Sequence, residues 1–285
     1  MELELESYKR LTSNLQGIDL IVQAAENALT RPDGTATGLS IADGRRQGNA
    51  MTNAGLVLLC GYFEGFVKDL AREYVNTLGK WKVTLANLPE PIYCAVVGDL
   101  AGKMRAEKKE SVTNFKRTVL AEVPIRLDEE KFSQTGGNPS VDTIEKLFSV
   151  LGFPRIIDTL SIDHYKLNED TFERKSKVES KMRDEIEGVI GQIEGADSSA
   201  VDEIIKLIDK KWPGNLQRRK VGYISAIEQL LTKRNQIAHG ERSIQVTPTE
   251  LSEHCLVIKK LSEGLHTVIV RTLGAQKPKE QAAAI

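Results

Sequence analysis

Three polar side chains that could take part in a reaction stand close together near the C-terminus: Arg234, Asn235 and His239. Arginine carries a permanent positive charge on a planar group with five N–H donors. Histidine gains and loses a proton near neutral pH, which suits it to acid–base catalysis. The spacing Arg-Asn-x-x-x-His, followed at once by Gly240, therefore places a fixed cation beside a group that can exchange protons.

These three residues lie near the end of a predicted helix over 218–239, with Gly240 as its terminating residue. At about 100° per residue, its apolar side chains cluster on one side. They are Ile224, Ile227, Leu230, Leu231, Ile237 and Ala238. Arg234 falls close to the middle of this sector, and Asn235 and His239 share its edge. A buried arginine is costly unless it is paired or at a wet interface. The placement indicates either a functional site or a structural ion pair of Arg234.

A carboxylate, Glu64, is a candidate to support this site. It lies at the border of the apolar face of a second predicted helix, over 50–79. One interpretation is a border carboxylate that is solvated or paired with a base. The other is a partner that supports Arg234 or His239.

Other kinds of site are not indicated. The cysteines are far apart and include no CxxC pair: Cys60, Cys94 and Cys255. The remaining histidines have no metal-ligand spacing: His164, His254 and His266. The glycines of 35–49 are not followed by the Lys-Ser/Thr pair of a P-loop. We therefore predict neither a metal nor a cofactor.

Composition limits the classes of partner and the compartment. The chain has 285 residues and a net charge of -1, which argues against a binder held by bulk positive charge. A local basic cleft for RNA remains compatible with that charge. The acidic start, 1–6, lacks the basic flank and apolar run of a signal peptide. No run approaches the roughly 18 consecutive apolar residues of a membrane span. We expect a cytoplasmic protein that does not bind membranes.

The elements that must position the site are predicted to be helices, because apolar residues recur at three- and four-residue steps and convincing strand alternation is missing. The fold class is all-α, a helical bundle in a single domain over 1–285. An N-terminal helix covers 4–30, core segments cover 50–152 and 218–273, and a charged helical insertion covers 155–217. The stretch 35–49, rich in Gly, Ser, Thr and Asp, is predicted to be a loop. The last helix spans 248–273.

Three stretches resemble a known family. Residues 234–240 resemble the Arg-polar-x-x-x-His motif of the HEPN superfamily (higher eukaryotes and prokaryotes nucleotide-binding). Residues 58–67 resemble the first core helix of its RiboL-PSP-HEPN type, and 137–140 with 144–148 and 151–152 resemble a further segment. The resemblance covers about 50–152 and 218–272, and it leaves out the N-terminal helix and 155–217.

The resemblance implies a helical bundle that dimerises, so that the motifs of two subunits face one another in a shared cleft. Active members are metal-independent endoribonucleases. By that analogy Arg234 and His239 bind and polarise the scissile phosphate, His239 transfers protons, and Asn235 orients the histidine or the phosphate. The 2′-hydroxyl of the RNA attacks and leaves a 2′,3′-cyclic phosphate and a 5′-hydroxyl. Some family toxins have a modifiable tyrosine two positions after the histidine. Glu241 stands there in this chain, so control by that route is not expected.

Two functional hypotheses follow. The first is an endoribonuclease that acts on RNA as a homodimer, in the manner of a toxin or antiphage defence effector with an antitoxin or defence-system partner. The second is a catalytically silent HEPN-type dimer that binds RNA, a nucleotide or a protein partner.

Overall fold

The elements of the fold follow the helical periodicity of the sequence. The computed structural model describes residues 4–30, 40–106, 127–134, 138–167, 171–174, 184, 188, 216–241 and 244–277. The helices in these ranges are α1 (Glu6–Leu29), α2 (Ile41–Lys80), α3 (Glu90–Ala106), α4 (Glu129–Ser133), α5 (Val141–Val150), α6 (Ile156–Tyr165), α7 (Gly222–Ala238) and α8 (Pro248–Gln276). A 3₁₀ turn covers Leu85–Asn87. The all-α prediction is confirmed, with one small exception: β1 (Phe172–Arg174) pairs antiparallel with β2 (Leu216–Arg218).

The central element is α2, whose 40 residues extend over about 60 Å. The Ser40 side chain starts it by accepting a hydrogen bond from the backbone N–H of Asp43 at 3.2 Å. Helices α1, α4, α5, α7 and α8 all contact it. Its buried apolar residues recur at helical spacing and form the middle of the core: Leu56, Leu59, Cys60, Phe63, Phe66, Val67, Leu70, Ala71, Tyr74, Val75 and Leu78.

The glycine-rich start of α2 corrects the loop predicted over 35–49. Residues 41–49 are helical, and 35–39 lie outside the described residues. The glycines face α1 and allow the two helices to approach closely. A Cβ atom on Gly44 would lie 2.6 Å from the backbone oxygen of Ala28, and one on Gly48 would lie 2.6 Å from Leu29 Cγ. The low helix propensity of glycine is therefore outweighed here by tertiary packing.

The helices at the two ends of the chain run alongside α2. The predicted helix over 4–30 is α1, and the predicted helix over 248–273 is α8. A Cβ on Gly55 of α2 would meet Leu251 of α8 at 2.6 Å and Ile21 of α1 at 3.2 Å. The three helices therefore meet at this level of the bundle. A capping box begins α8, in which Thr247 and Glu250 bond each other's backbone N–H groups.

The segment 155–217, predicted as a helical insertion, is described only in part. Its first residues form α6, and Ile156 and Ile157 are buried. The described residues 171–174 and 216–217 contribute to the β1–β2 pair, and most of 175–215 lies outside the described residues. Helix α7 begins at Gly222, later than the predicted 218, because 216–218 are extended.

A buried carboxylate joins α5 to α6. Arg155 precedes α6 with a left-handed backbone (φ 56°) and supplies no side-chain cap. Instead Glu145 Oε1 on α5 accepts hydrogen bonds from the backbone N–H groups of Ile157 (2.8 Å) and Asp158 (3.2 Å). Burial raises the pKa of Glu145, and the neighbouring charge of Asp158 also raises it. Glu145 therefore satisfies two of the N–H donors that a helix start leaves open.

Asp158 and two arginines connect α6 to the β pair. Asp158 is buried and forms ion pairs with Arg155 at 3.2 Å and with Arg218 at 3.6 Å. The guanidinium groups of both arginines also lie over the ring of Phe172, at 4.8 and 5.2 Å from its centroid. These contacts hold β1 and β2 against the start of α6.

Among the described helices, α2 is long and apolar enough to cross a membrane by length and composition alone. Its buried apolar side chains are packed against the surrounding helices and belong to the hydrophobic core. That arrangement is typical of the core helix of a bundle.

Candidate active site

The end of α7 carries His239 out of the helix into solvent. Ala238 is the last helical residue, His239 is the C-cap, and Gly240 adopts a left-handed backbone with φ 74°. The Gly240 N–H donates to the Ile237 carbonyl at 3.0 Å, and the Glu241 N–H donates to the Gln236 carbonyl at 3.1 Å. This pair of bonds is the Schellman motif. It fixes the backbone at His239 while leaving the imidazole exposed.

Arg234 and Asn235 form a bonded pair one turn before the helix end. Arg234 Nη1 donates a hydrogen bond to Asn235 Oδ1 at 3.1 Å. Both side chains are half-buried. The buried face of α7 consists of Tyr223, Ile224, Ile227 and Leu230, so Arg234 follows Leu230 by one turn on the same face. The sequence predicts Arg234 close to the middle of the apolar sector. In the structure Arg234 continues the line of the buried residues, but its own side chain is only half-buried.

A residue from another element completes the cluster. Asn138, in the segment before α5, donates from Nδ2 to Asn235 Oδ1 at 3.5 Å. It was not predicted as a site residue. The only sequence indication was its place in the 137–140 stretch that resembles the family.

One residue of α2, Cys60, lies near Arg234 and Glu64. Cys60 is buried, and burial raises the pKa of its thiol to about 12. The charge of Arg234 opposes that rise and the charge of Glu64 adds to it. Both charged groups therefore lie near Cys60. The α2 face that carries Cys60 and Glu64 is the one turned towards the motif.

Glu64 itself is bonded within its own helix. Lys68 Nζ lies 2.6 Å from Glu64 Oε1, an i,i+4 ion pair. The contact matches the first interpretation of Glu64 given above, a border carboxylate paired with a base. In the part of the chain that the structure describes, no hydrogen bond or ion pair joins Glu64 to Arg234 or His239. A supporting role for Glu64 would have to act through its charge near Cys60.

The structural alternative for Arg234, a buried ion pair, is not found among the described residues. Across the described ranges Arg234 has no ion-pair partner, and its side-chain hydrogen bond goes to a neutral amide. A half-buried guanidinium without a carboxylate partner there retains donors for an external anion.

The segment after the motif is held by α2, and the motif helix itself is held by α8. Asn53 of α2 donates to the Ile244 carbonyl at 3.4 Å and accepts from the Val246 N–H at 3.2 Å. Lys233, directly before Arg234, forms an ion pair with Glu250 of α8 at 2.8 Å. Contacts with α2 and α8 therefore hold the motif region in place, in addition to the backbone bonds of α7.

The other histidines have packing roles. His266 Nε2 accepts a hydrogen bond from the Leu5 N–H at 3.3 Å, and its ring stacks on Tyr8 at 4.4 Å. His164 stacks on Tyr223 at 5.2 Å. His254 is half-buried on α8, and burial lowers its pKa, as does the nearby Lys233.

An exposed strip runs along α2. Ala54, Leu58 and Gly61 follow one another at helical spacing and are exposed, with Leu58 at 42%. The strip is next in angle to the α2 face that carries Asn53, Cys60 and Glu64. Within the described residues, no group of three or more His, Cys, Asp or Glu side chains is arranged to hold a metal ion.

A comparison with protein-family models identifies the family of the chain. The model described as RiboL-PSP-HEPN matches residues 28–271, which is well over half of the chain and includes the motif. The matched range begins within α1 and runs through 155–217. Neither the curated proteins nor the solved structures gave a match. By the extent of this match, the chain belongs to the RiboL-PSP-HEPN family.

Proposed function

We propose that this protein is a metal-independent endoribonuclease whose site contains Arg234, Asn235 and His239. HEPN domains are often ribonucleases, which supports this class of function. The observation that carries the proposal is the burial and bonding of the Arg234 side chain. It is half-buried, has no ion-pair partner in the described ranges, and is held by Asn235 near an exposed histidine. A phosphate is an anion that such a donor set can bind through two parallel hydrogen bonds.

In the proposed reaction the RNA supplies its own nucleophile. A histidine acting as base removes the proton of a 2′-hydroxyl, and the oxygen attacks the adjacent phosphorus. The phosphorus–O5′ bond breaks, and a histidine acting as acid protonates the leaving O5′. Arg234 stabilises the negative charge that develops on the phosphoryl oxygens. The products are a 2′,3′-cyclic phosphate and a 5′-hydroxyl, with no net uptake of protons or electrons.

The reaction needs a base and an acid, and the motif offers one histidine per chain. We propose that a homodimer supplies the second His239 across a shared cleft. The exposed strip Ala54, Leu58 and Gly61 supports a contact between subunits, because it presents apolar surface next to the α2 face that carries Cys60 and Glu64. Light scattering of the purified protein should give the mass of a dimer, and Leu58→Glu should shift the equilibrium to monomer. A monomeric wild type would contradict the shared cleft.

Cleavage is tested with labelled single-stranded RNA in EDTA. Wild type should cut the RNA and leave cyclic phosphate ends, identified by mass spectrometry. Arg234→Ala and His239→Ala should lose the activity, while Arg271→Ala and His164→Ala, matched exposed controls away from the motif, should retain it. Intact RNA with wild type, or equal cleavage by all variants, would refute the proposal. Binding without cleavage would favour a catalytically silent RNA-binding dimer.

The biological setting that we propose is cytoplasmic RNA cleavage in a toxin or antiphage system, controlled by an antitoxin or defence-system protein. Because Glu241 stands where some toxins have a modifiable tyrosine, control through a bound partner is the consistent alternative. Induction of the wild-type gene in a bacterial host should arrest growth, and His239→Ala should not. Equal growth of both strains would contradict a toxic role.

A further inference from the structure

We propose that Asn138 is a positioning residue that sets the orientation of the Asn235 amide in the motif site. The inference rests on the proposed function for its consequence in catalysis, but its structural part stands on contacts alone. Two donors converge on one oxygen atom. Arg234 Nη1 lies 3.1 Å from Asn235 Oδ1, and Asn138 Nδ2 lies 3.5 Å from the same atom.

The two donors decide which way the Asn235 amide faces. A carboxamide oxygen has two lone pairs, and its NH₂ group has two donors and no acceptor. If the amide were rotated by half a turn, its NH₂ group would face the donors of Arg234 and Asn138. Asn235 therefore points its oxygen at them and its NH₂ group away from them. Among the described residues this NH₂ group has no acceptor, so it is available to donate to a phosphate oxygen of bound RNA.

Asn138 is well placed to hold this orientation, because its backbone is bonded to Ser140, the residue that caps α5. Its carbonyl accepts a hydrogen bond from the Ser140 N–H at 2.7 Å. The Ser140 side chain then caps α5 by accepting from the Thr143 N–H at 3.2 Å. Pro139 between them has a fixed φ angle. The position of Asn138 is thus determined by α5, whereas Arg234 and Asn235 belong to α7.

Asn138 acts through Asn235 and does not need to touch the substrate. Without it, the Asn235 oxygen would keep one donor, Arg234, and the amide could rotate more freely. Arg234 would then also lose a fixed acceptor that restricts its guanidinium group. We expect Asn138→Ala to slow the cleavage step by roughly 5-fold, the size of one modest hydrogen bond, with little change in KM.

The first test is a structural one that does not depend on catalysis. The side-chain amide resonances of Asn235 are identified by NMR from their loss in Asn235→Ala. They should shift in Asn138→Ala and stay in place in Asn76→Ala, a matched exposed asparagine on α2. Unchanged Asn235 resonances in Asn138→Ala would overturn the inference. This outcome holds whether or not the protein cleaves RNA.

The second test is a double-mutant cycle on single-turnover cleavage. Asn138→Ala should slow the wild type by about 5-fold and leave the rate of Asn235→Ala unchanged. The same slowing in both backgrounds would show that Asn138 acts independently of Asn235 and would overturn the inference. Thermal unfolding should be unchanged, because Asn138 is exposed. If wild type does not cleave RNA, the proposed function fails and the NMR result alone decides the role of Asn138.

Discussion

Lys233 Nζ lies 2.8 Å from Oε1 of Glu250, and this ion pair joins the motif helix α7 to the first turn of α8. The other carboxylate oxygen, Oε2, accepts a hydrogen bond from the Thr247 N–H at 2.9 Å. One side chain therefore begins α8 and also holds the residue directly before Arg234. The stability of this connection should depend on the charge of Glu250.

Glu250→Gln isolates that charge, because glutamine can still form the capping box. The pKa of Glu250 is lowered, first by the hydrogen bond from Lys233 and then by the Thr247 N–H. Since the folded-state pKa lies below the unfolded one, the stabilisation is present above the unfolded pKa and is lost as pH falls through the folded pKa. We expect the variant to be less stable by about 0.5 kcal/mol at pH 7, because the pair is partly exposed. Urea unfolding should show this difference disappearing in acid, and a difference independent of pH would contradict the assignment.

Gly44→Ala tests the close contact between α1 and α2. The new Cβ would lie 2.6 Å from the Ala28 backbone oxygen, so one helix must move. We expect a loss of about 1–3 kcal/mol in the free energy of unfolding. Gly17→Ala is the control within α1, because no heavy atom lies within 4 Å of its Cβ, and it should be neutral or stabilising by up to about 1 kcal/mol. Equal effects of the two variants would show that the close approach is not important for stability.

Gly240→Ala tests the helix end beneath His239. At φ 74° a Cβ atom meets its own backbone, and the expected cost is about 1–2 kcal/mol. Asparagine tolerates this backbone better, so Gly240→Asn should lose less stability. Chemical denaturation compares the two variants. An alanine variant as stable as wild type would mean that the Schellman turn is not maintained.

His239→Ala should separate activity from stability. The imidazole is exposed and forms no side-chain hydrogen bond with the residues that the structure describes, so unfolding should change by less than about 0.5 kcal/mol. RNA cleavage should fall by at least about 100-fold if His239 transfers protons. Thermal unfolding and cleavage are measured on the same preparation. A loss of activity that follows a loss of stability would indicate a structural role for His239.

The sequence was sufficient where local spacing and packing agree. Ile224, Ile227 and Leu230 recur at helical steps in the sequence, and all three are buried on one face of α7. The prediction of a loop at the start of α2 was wrong, because Gly44 and Gly48 allow α1 to pack closely against this helix. Local helix propensity does not report such a contact with another helix.

The early start predicted for α7 has a similar cause. Gly222 turns the chain with φ 53°, and a Cβ there would lie 2.9 Å from the ring of Tyr165. This contact is set by α6, and the spacing of apolar residues does not report it. Asn138 was also missed, because its partner Asn235 is 97 residues away and neither residue is unusual alone.

The capped N-termini of α5 and α8 affect which groups would bind the phosphate of an RNA. A helix N-terminus often binds phosphate through its open N–H groups. Here the starts of α5 and α8 already hold their own acidic groups, Asp142 and Glu250, and Pro248 has no N–H to offer. These acidic groups disfavour a second anion at either helix start. Phosphate recognition would then depend on the planar, two-pronged shape of Arg234, which a lysine in its place would not reproduce.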